Sequence, residues 1–426
     1  MRTIRRTLVL STLAWTVCAQ VQSLQPLTIE QAVAEAIENN LSILAEKYTV
    51  PMAEARRVTA ALRPNPVLSV GADHLDALGT GYDAENAAGP PEYSARTDFV
   101  FETGSKRRRR IEVAEAGVSV AQLNLLNTVR TVVLEVQTTF VDLLLAKAEL
   151  NLQQETHVTF HKTVEVNTAR VQQGDLAEAE LIRTQVAELQ LENTLLNARL
   201  KVDVARLRLH ALLGRKRSDK LVDASGSLRR EPVAIPVEVL RAKAFAARPD
   251  YLALHRENAR TRAELRLQLA QGVVDYTLGT EYRRQQGLAG RGNSLGFFFS
   301  SSLPVFNRNQ GEIERARQEQ LQTSARILAM QSTIENDVEI AWLQNQAARE
   351  SLRRVEEKMM AKAIDIRLIT QQAYHRGTIT FVEFLDAQRA YYETIQARIA
   401  AMADYAKSLY QMDAATGGNV RGPGMP

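Results

Sequence analysis

Cysteine is almost absent from this chain, since Cys18 is the only one among 426 residues. Three arginines within the first six residues precede an apolar run from Leu8 to Val17, and the small residues Val17 and Ala19 suit the −3 and −1 positions of a cleavage site. This pattern predicts a secretory signal peptide at residues 1–19. The mature chain would then hold no cysteine, which excludes disulfides. Alternatively, Cys18 could be the lipidated first residue of a bacterial lipoprotein.

Long apolar runs are also missing beyond this segment. No stretch of about 18 apolar residues follows, so the sequence offers no transmembrane helix. If the exported chain crosses a membrane, it must do so as a closed β-barrel, because open strands in lipid leave backbone groups unpaired. Glycine (21) and proline (12) are sparse in a chain that is 45% hydrophobic and 24% charged, a balance that favours long helices. The net charge of +4 is small and gives no reason to expect a nucleic-acid partner.

Catalytic motifs are lacking as well. The sequence has no phosphate-binding glycine loop and no nucleophile elbow, and its six histidines are scattered. We therefore expect neither an enzyme nor a cofactor. His157, His161 and Glu165 are spaced four residues apart and could place three metal ligands on one helix face. In a long polar helix the alternative is a solvated stripe, and we predict no metal site.

What the sequence does contain is a repeated pattern. A long helical pattern stops and restarts at Gly174, and another does so at Gly377, 203 residues later. Each glycine follows roughly 60 residues of charge-rich helical sequence and precedes about 35 more, which indicates an internal duplication. We divide the chain into a signal peptide (1–19), a first repeat (20–214), a polar linker (215–235), a second repeat (236–415) and a disordered tail (416–426).

Each repeat has the same predicted order of helix, two strands, long helix, turn and shorter helix. In the first copy a helix spans Leu27 to Leu62, and a period-two alternation between Val67 and Glu102 predicts strands with one apolar face. A half-buried hairpin would show the same alternation. The helix that follows, from about Arg107 to Val171, has a seven-residue apolar frame typical of a coiled coil and would be roughly 95 Å long. A helix of this length needs neighbours along its side.

This duplicated order resembles the TolC-like outer-membrane efflux ducts over nearly the whole mature chain. The strand-to-helix junctions, Phe101 to Arg107 and Leu303 to Gly311, are similar to those of the heavy-metal branch, the outer-membrane components of cobalt, zinc and cadmium exporters. Ser105 departs from that branch, which usually has a second glycine there. The resemblance implies a mainly α fold with a small β part. Three chains would each give four strands to one twelve-stranded transmembrane barrel and their long helices to a coiled-coil α-helical barrel in the periplasm.

The resemblance also implies a function and partners. The chain would be the outer-membrane channel of a tripartite RND-type efflux system, working as a homotrimer with a periplasmic adaptor (membrane fusion) protein and an inner-membrane RND pump. It would passively conduct exported substrates, heavy-metal cations foremost, to the exterior. Two alternatives stay open at this point: a duct of the same family for drug export or type I protein secretion, and a periplasmic coiled-coil scaffold.

Functional positions are carried over from the family at the second turn. The segment Gly377 to Asp386 is similar to the family's inner end, where two acidic residues line a constricted periplasmic mouth, here Glu383 and Asp386. Their i, i+3 spacing predicts one shared helix face. Three chains would bring six carboxylates to one opening, which would favour cations and raise some of their pKa values. Solvated surface acids are the alternative reading of the same residues.

The two turns themselves are the predicted contacts for the adaptor. Glycine at these points also has the plainer explanation that it permits positive φ in a turn between helices. The residues predicted to contact the adaptor are Gln173, Gly174, Asp175, Arg376, Gly377 and Thr378.

Overall fold

The computed structural model describes residues 26–75, 77–79, 91–216, 219–231, 235–287 and 290–418. The predicted signal peptide, Cys18 and residues 419–426 of the predicted tail lie outside these ranges.

The first repeat contains five helices and two strands in the described part of the chain. They are α1 (Ile29–Asn39), α2 (Leu41–Lys47), α3 (Thr49–Ala61), β1 (Val67–Asp73), β2 (Glu92–Phe101), α4 (Lys106–Gln172) and α5 (Glu178–Leu212). The helix expected from Leu27 to Leu62 is therefore divided into three. Its first division lies at Asn40, whose side-chain oxygen accepts hydrogen bonds from the backbone N–H groups of Ser42 and Ile43 and so caps α2.

The second repeat follows the same order. It contains α6 (Val237–Ala247), α7 (Pro249–Gln271), β3 (Tyr276–Gly287), β4 (Gly290–Ser301), α8 (Gln310–Arg354), a π-helical turn (Val355–Met359), α9 (Met360–His375) and α10 (Phe381–Ala415). The π-helical turn has no counterpart in α4, which is one α-helix of 67 residues. Within the turn, Glu356 lies 3.4 Å from both Arg230 of the linker and Arg398 of α10.

Backbone conformation repeats between the two halves. Each long helix begins after a non-glycine residue in the left-handed region, Ser105 (φ 58°) before α4 and Asn309 (φ 64°) before α8. Each long helix also ends near a left-handed glycine, Gly174 (φ 81°) and Gly377 (φ 71°). The duplication expected from the sequence is thus present in the geometry of its turns.

The four strands form one antiparallel sheet in the order β1-β2-β3-β4. Its central pair, β2 with β3, joins the two repeats through pairs such as Thr97 with Thr280. The register places the alternating apolar residues on a single face, because Leu68 pairs with Thr97 and Thr280 with Phe297. Phe297 is 77% exposed, so the other described residues do not cover this face as they would in a half-buried hairpin. The other large residues of the face include Val70, Tyr93, Phe99, Phe101, Leu278, Tyr282, Leu295 and Phe299.

The main core forms along α4, which contacts α1, α3, α5, α7 and α10. Phe140 and Leu143 of α4 are fully buried against Leu209 of α5. The linker contributes Val222 and Ala224 to the same core and pairs with Leu27 through an isolated bridge. The linker therefore packs against the first repeat through Val222 and Ala224, whereas its Arg230 approaches Glu356 of the second repeat.

A buried ion-pair network connects the repeats. Arg248, which is 4% exposed, pairs with Asp250 at 2.7 Å and with Asp337 of α8 at 2.8 Å. Arg130 of α4 lies 3.2 Å from Asp250 and donates a hydrogen bond to the carbonyl oxygen of Ala414. One cluster thereby holds α4, α7, α8 and the end of α10 together.

Among the helices of the described ranges, none combines the length and apolar character needed to cross a membrane.

Candidate functional site

The two predicted adaptor-contacting turns have the same local geometry. The N–H of Gly174 donates to the carbonyl of Val171, and the N–H of Gly377 donates to that of Tyr374, each at 3.0 Å. A Cβ at either glycine would meet no atom within 4 Å, so the positive φ, rather than lack of space, favours glycine there. All six predicted contact residues are exposed. Their contact with an adaptor stays a prediction.

An aromatic cluster lies directly above the turns. Phe160 of α4, Tyr374 of α9, and Phe381 and Phe384 of α10 are buried together. The rings of Tyr374 and Phe384 stack with centroids 4.8 Å apart. The cluster therefore packs the hairpin of α9 and α10 onto the hairpin of α4 and α5.

A buried chain of hydrogen bonds reinforces this packing. The hydroxyl of Tyr374 donates to the side-chain oxygen of Asn167 at 2.9 Å, and the Asn167 amide donates to the hydroxyl of Thr184 at 3.1 Å. Asn167 and Thr184 have no exposed surface, and burial raises the pKa of Tyr374. Polar groups buried in this way lose their hydrogen bonds to water and are costly to leave unpaired. The chain of bonds therefore fixes α9 to α4 and α5.

This connection between the repeats is not among the sequence-based predictions. Asn167 lies seven residues after Phe160 and so occupies the same face of α4. A polar residue at an otherwise apolar position of a coiled-coil frame was the available signal. Its partner Tyr374 lies 207 residues away, a separation that no local pattern spans.

Glu383, the first predicted mouth residue, is hydrogen-bonded to Thr380 at the start of α10. Its carboxylate accepts hydrogen bonds from the N–H of Thr380 at 2.8 Å and from the Thr380 hydroxyl at 2.9 Å, which completes a capping box. These bonds favour the ionised form and lower the pKa of Glu383. The rise in pKa expected from six converging carboxylates requires neighbouring chains and stays a prediction.

Asp386, the second predicted mouth residue, has a different environment. It is exposed and lines a cleft of about 350 Å³ between α5 and α10, which Phe160 and Leu191 also line. Although the two acidic residues are three positions apart, Glu383 is bound to the start of its own helix, whereas Asp386 lines a surface cleft.

The histidines of α4 pair with carboxylates of α5. His161 Nδ1 lies 2.6 Å from a Glu188 oxygen, and this hydrogen bond raises the pKa of His161. His157 Nε2 lies 3.7 Å from Glu192. Over the described ranges, no group of three or more His, Cys, Asp or Glu side chains is placed to hold a metal ion.

This architecture matches a known family over most of the chain. A family model described as outer membrane efflux protein matches residues 32–215 and 240–418. The chain belongs to the outer membrane efflux protein family. It is accordingly an efflux channel of the TolC type rather than an enzyme. The family membership inferred from the sequence is confirmed.

Individual relatives agree with this assignment. The cobalt-zinc-cadmium resistance protein CzcC of Cupriavidus metallidurans is 23% identical over 380 residues, which cover 88% of this chain and 85% of CzcC. Crystal structures of CusC match with a TM-score of 0.76 and 16% identity, covering 92% of both chains. The CmeC outer membrane channel of Campylobacter jejuni matches with a TM-score of 0.79 and 13% identity, covering 92% of this chain and 85% of that one. The predicted fold class is confirmed.

We predict that Tyr374→Phe loosens the two hairpins. The change leaves the Asn167 oxygen buried without its donor, which should cost about 1–3 kcal/mol. Amide hydrogen exchange should therefore accelerate in the lower parts of α4, α5 and α9, near the turns, and stay unchanged near the sheet. Tyr48→Phe, at a tyrosine that is 62% exposed, serves as the control. Equal exchange in the wild type and Tyr374→Phe would contradict the role given to this hydrogen bond.

We also predict that the capping box makes the stability of the protein depend on pH. A carboxyl with a lowered folded-state pKa contributes stability above its unfolded pKa and loses it as the pH falls through the folded value. The thermal unfolding midpoint of the wild type should therefore be higher than that of Glu383→Gln at neutral pH, and the difference between the two midpoints should vanish at acid pH. Glu54→Gln, at an exposed position of α3, should follow the wild-type profile. A wild-type advantage that persists at acid pH would argue against the cap.

Proposed function

We propose that this chain is the outer-membrane channel of a tripartite RND-type efflux system. It forms a homotrimer and passively conducts exported substrates, heavy-metal cations foremost, from a periplasmic adaptor and an inner-membrane RND pump to the exterior. The observation that carries the proposal is that one chain leaves apolar residues uncovered on its sheet and along both edges of its helical part.

The exposed sheet supports a membrane location. Its aromatic and aliphatic face is continuous across all four strands, and strands β1 and β4 each have an edge that no other described strand of the chain pairs with. Closure with neighbouring copies would satisfy those edges and give a barrel of twelve strands from three chains. The opposite face is mostly polar: Arg96 pairs with Asp98 at 2.9 Å and lies over the ring of Phe298, and Arg283 hydrogen-bonds Glu281 at 2.9 Å. It would line the water-filled interior.

The helical edges support association in a ring. On one edge, α5 carries an exposed apolar stripe at the spacing of a coiled-coil seam. On the other edge, α8 and α9 carry exposed leucines and isoleucines at the corresponding level. The stripe on α5 consists of Ile182, Val186, Leu189, Leu196, Leu200 and Leu207, and that on α8 and α9 includes Ile340, Leu343, Ile364 and Leu368.

Two different edges that complement each other form a heterologous interface. Such an interface generates a closed ring when its rotation closes. Near the sheet, Met52 and Val58 of α3 and Leu321 and Leu328 of α8 are exposed in the same way, so both levels of the helical part have unpaired apolar edges. The number three comes from the resemblance to the TolC-like ducts.

The exposed turns below the Tyr374 hydrogen bonds are the surface for the adaptor. Because this bond and the aromatic cluster hold the two hairpins together, one chain presents both turns as a unit. Asp386 would lie at the mouth that these turns surround and would favour the entry of cations.

The proposed cargo comes from the similarity to CzcC. CzcC is named for cobalt-zinc-cadmium resistance, and we extend that class of substrate to this chain. Drug export or type I protein secretion by the same kind of duct is the alternative.

If the α5 stripe forms the trimer interface, we predict that charged residues in this stripe prevent assembly of the trimer. In the variant Leu196→Glu with Leu200→Glu, two carboxylates would lie in an apolar interface without partners, and the ring should not assemble. Light scattering in detergent should then give the mass of one chain, and planar bilayers should show no channels. Asn197→Glu, at an exposed position beside the stripe, should leave the trimer and its conductance intact. An intact trimer in the double variant would contradict the proposed interface.

If the cargo is heavy-metal cations, we predict that loss of the channel sensitises the source bacterium to metals more than to other toxic compounds. Deleting the gene should increase killing by zinc, cobalt and cadmium more than by a panel of dyes and antibiotics. The wild-type gene should restore resistance, and the Leu196→Glu, Leu200→Glu variant should not. Sensitivity confined to the dyes and antibiotics would favour the drug-export alternative.

A further inference from the structure

Beyond Asp386, α10 carries charges of alternating sign. Asp386, Arg389 and Glu393 are exposed, and their i, i+3, i+7 spacing places them on one face of the helix. With a rise of about 1.5 Å per residue, Arg389 follows Asp386 by roughly 4.5 Å along the axis. An ion that passes one of these side chains is therefore within reach of the next.

All three side chains line the same cleft of about 350 Å³. The facing wall is uncharged: among the described residues that line it, α4 and α5 contribute only amides, hydroxyls and apolar side chains, such as Gln153, Gln190 and Thr194. The charge in the cleft therefore comes from α10 alone.

Glu383 does not add its charge to this cleft. It is absent from the described lining, and its carboxylate is bound by the N–H and hydroxyl of Thr380. From the turn inward, Asp386 is thus the first charge that lines the cleft, and Arg389 is the second.

We propose that Arg389 is a specificity-determining residue of the channel, which weakens the hold of Asp386 on multivalent cations so that they are released inward. This inference rests on the proposed function, since it requires Asp386 to lie at the mouth. Conduction needs a site that attracts an ion strongly enough for entry and weakly enough for exit. A ring of carboxylates alone would bind a divalent cation and obstruct the passage.

The effect of Arg389 depends on the charge of the ion. Coulomb repulsion from a guanidinium a few ångströms away is twice as large for a divalent as for a monovalent cation. Removing the guanidinium should therefore change the retention of divalent cations much more than the passage of sodium.

The test uses full-length trimer in planar bilayers, with sodium chloride as the conducting salt and calcium chloride as the added probe. Calcium prefers carboxylate oxygens to imidazole, so the histidines of α4 do not compete for it. In Arg389→Gln, the calcium concentration that halves the sodium conductance should fall roughly tenfold below that of the wild type. Arg389→Lys keeps the positive charge and should behave as the wild type.

Two further variants locate the effect. Adding Asp386→Asn to Arg389→Gln should abolish the increased block, because the carboxylate that binds calcium is gone. Arg353→Gln removes an exposed arginine of α8 that pairs with Glu350 at 3.0 Å and is absent from the described lining of the cleft. It should leave the calcium block unchanged.

Equal calcium block in the wild type and Arg389→Gln, with sodium conductance present in both, would overturn this inference and leave the channel itself supported. An equal fall in the half-blocking calcium concentration in Arg389→Lys and Arg389→Gln would also overturn it, since the geometry of the side chain rather than its charge would then matter. A wild-type trimer that conducts no ions would overturn the proposed function and this inference with it.

Discussion

The need to bury one helix along its whole length governs this structure. Helix α4, with 67 residues, extends about 100 Å and cannot be stable alone in water. The chain covers it with α3 near the sheet, with α1 near its middle, with α7 and α10 from the second repeat, and with α5 below. The outer helices of this arrangement then have apolar faces of their own that no described part of the chain covers. The stripe on α5 that includes Leu196 and Leu200 is the direct result, and it is why the single chain is an incomplete unit.

Much of this architecture could be predicted from the sequence, because it follows local rules. Glycine at 174 and 377 marks turns that need positive φ, and the period-two alternation of β2 and β3 is the one that their register uses. Tertiary detail was beyond such rules. The hydrogen bond from Tyr374 to Asn167 joins residues of different repeats, and nothing near either residue in the sequence identifies its partner.

The two acidic residues near the start of α10 have different surroundings. Thr380 and Glu383 have the spacing of a capping box, which local pattern alone could have identified. The family resemblance implies a position at the periplasmic mouth for Glu383. In the described chain its carboxylate stabilises the first turn of α10, and Asp386 lines the cleft. A capped helix start also holds the following residues, Asp386 among them, in a fixed orientation.

The π-helical turn at Val355–Met359 distinguishes the two repeats. A ring of three duplicated chains would have an approximate sixfold axis if its halves were alike. Because α4 is regular throughout and its counterpart contains a π-helical turn, the six long helices around the axis would alternate between regular ones and ones with such a turn. If the tube widened or narrowed, neighbouring long helices would move by unequal amounts. The symmetry of this motion would be threefold.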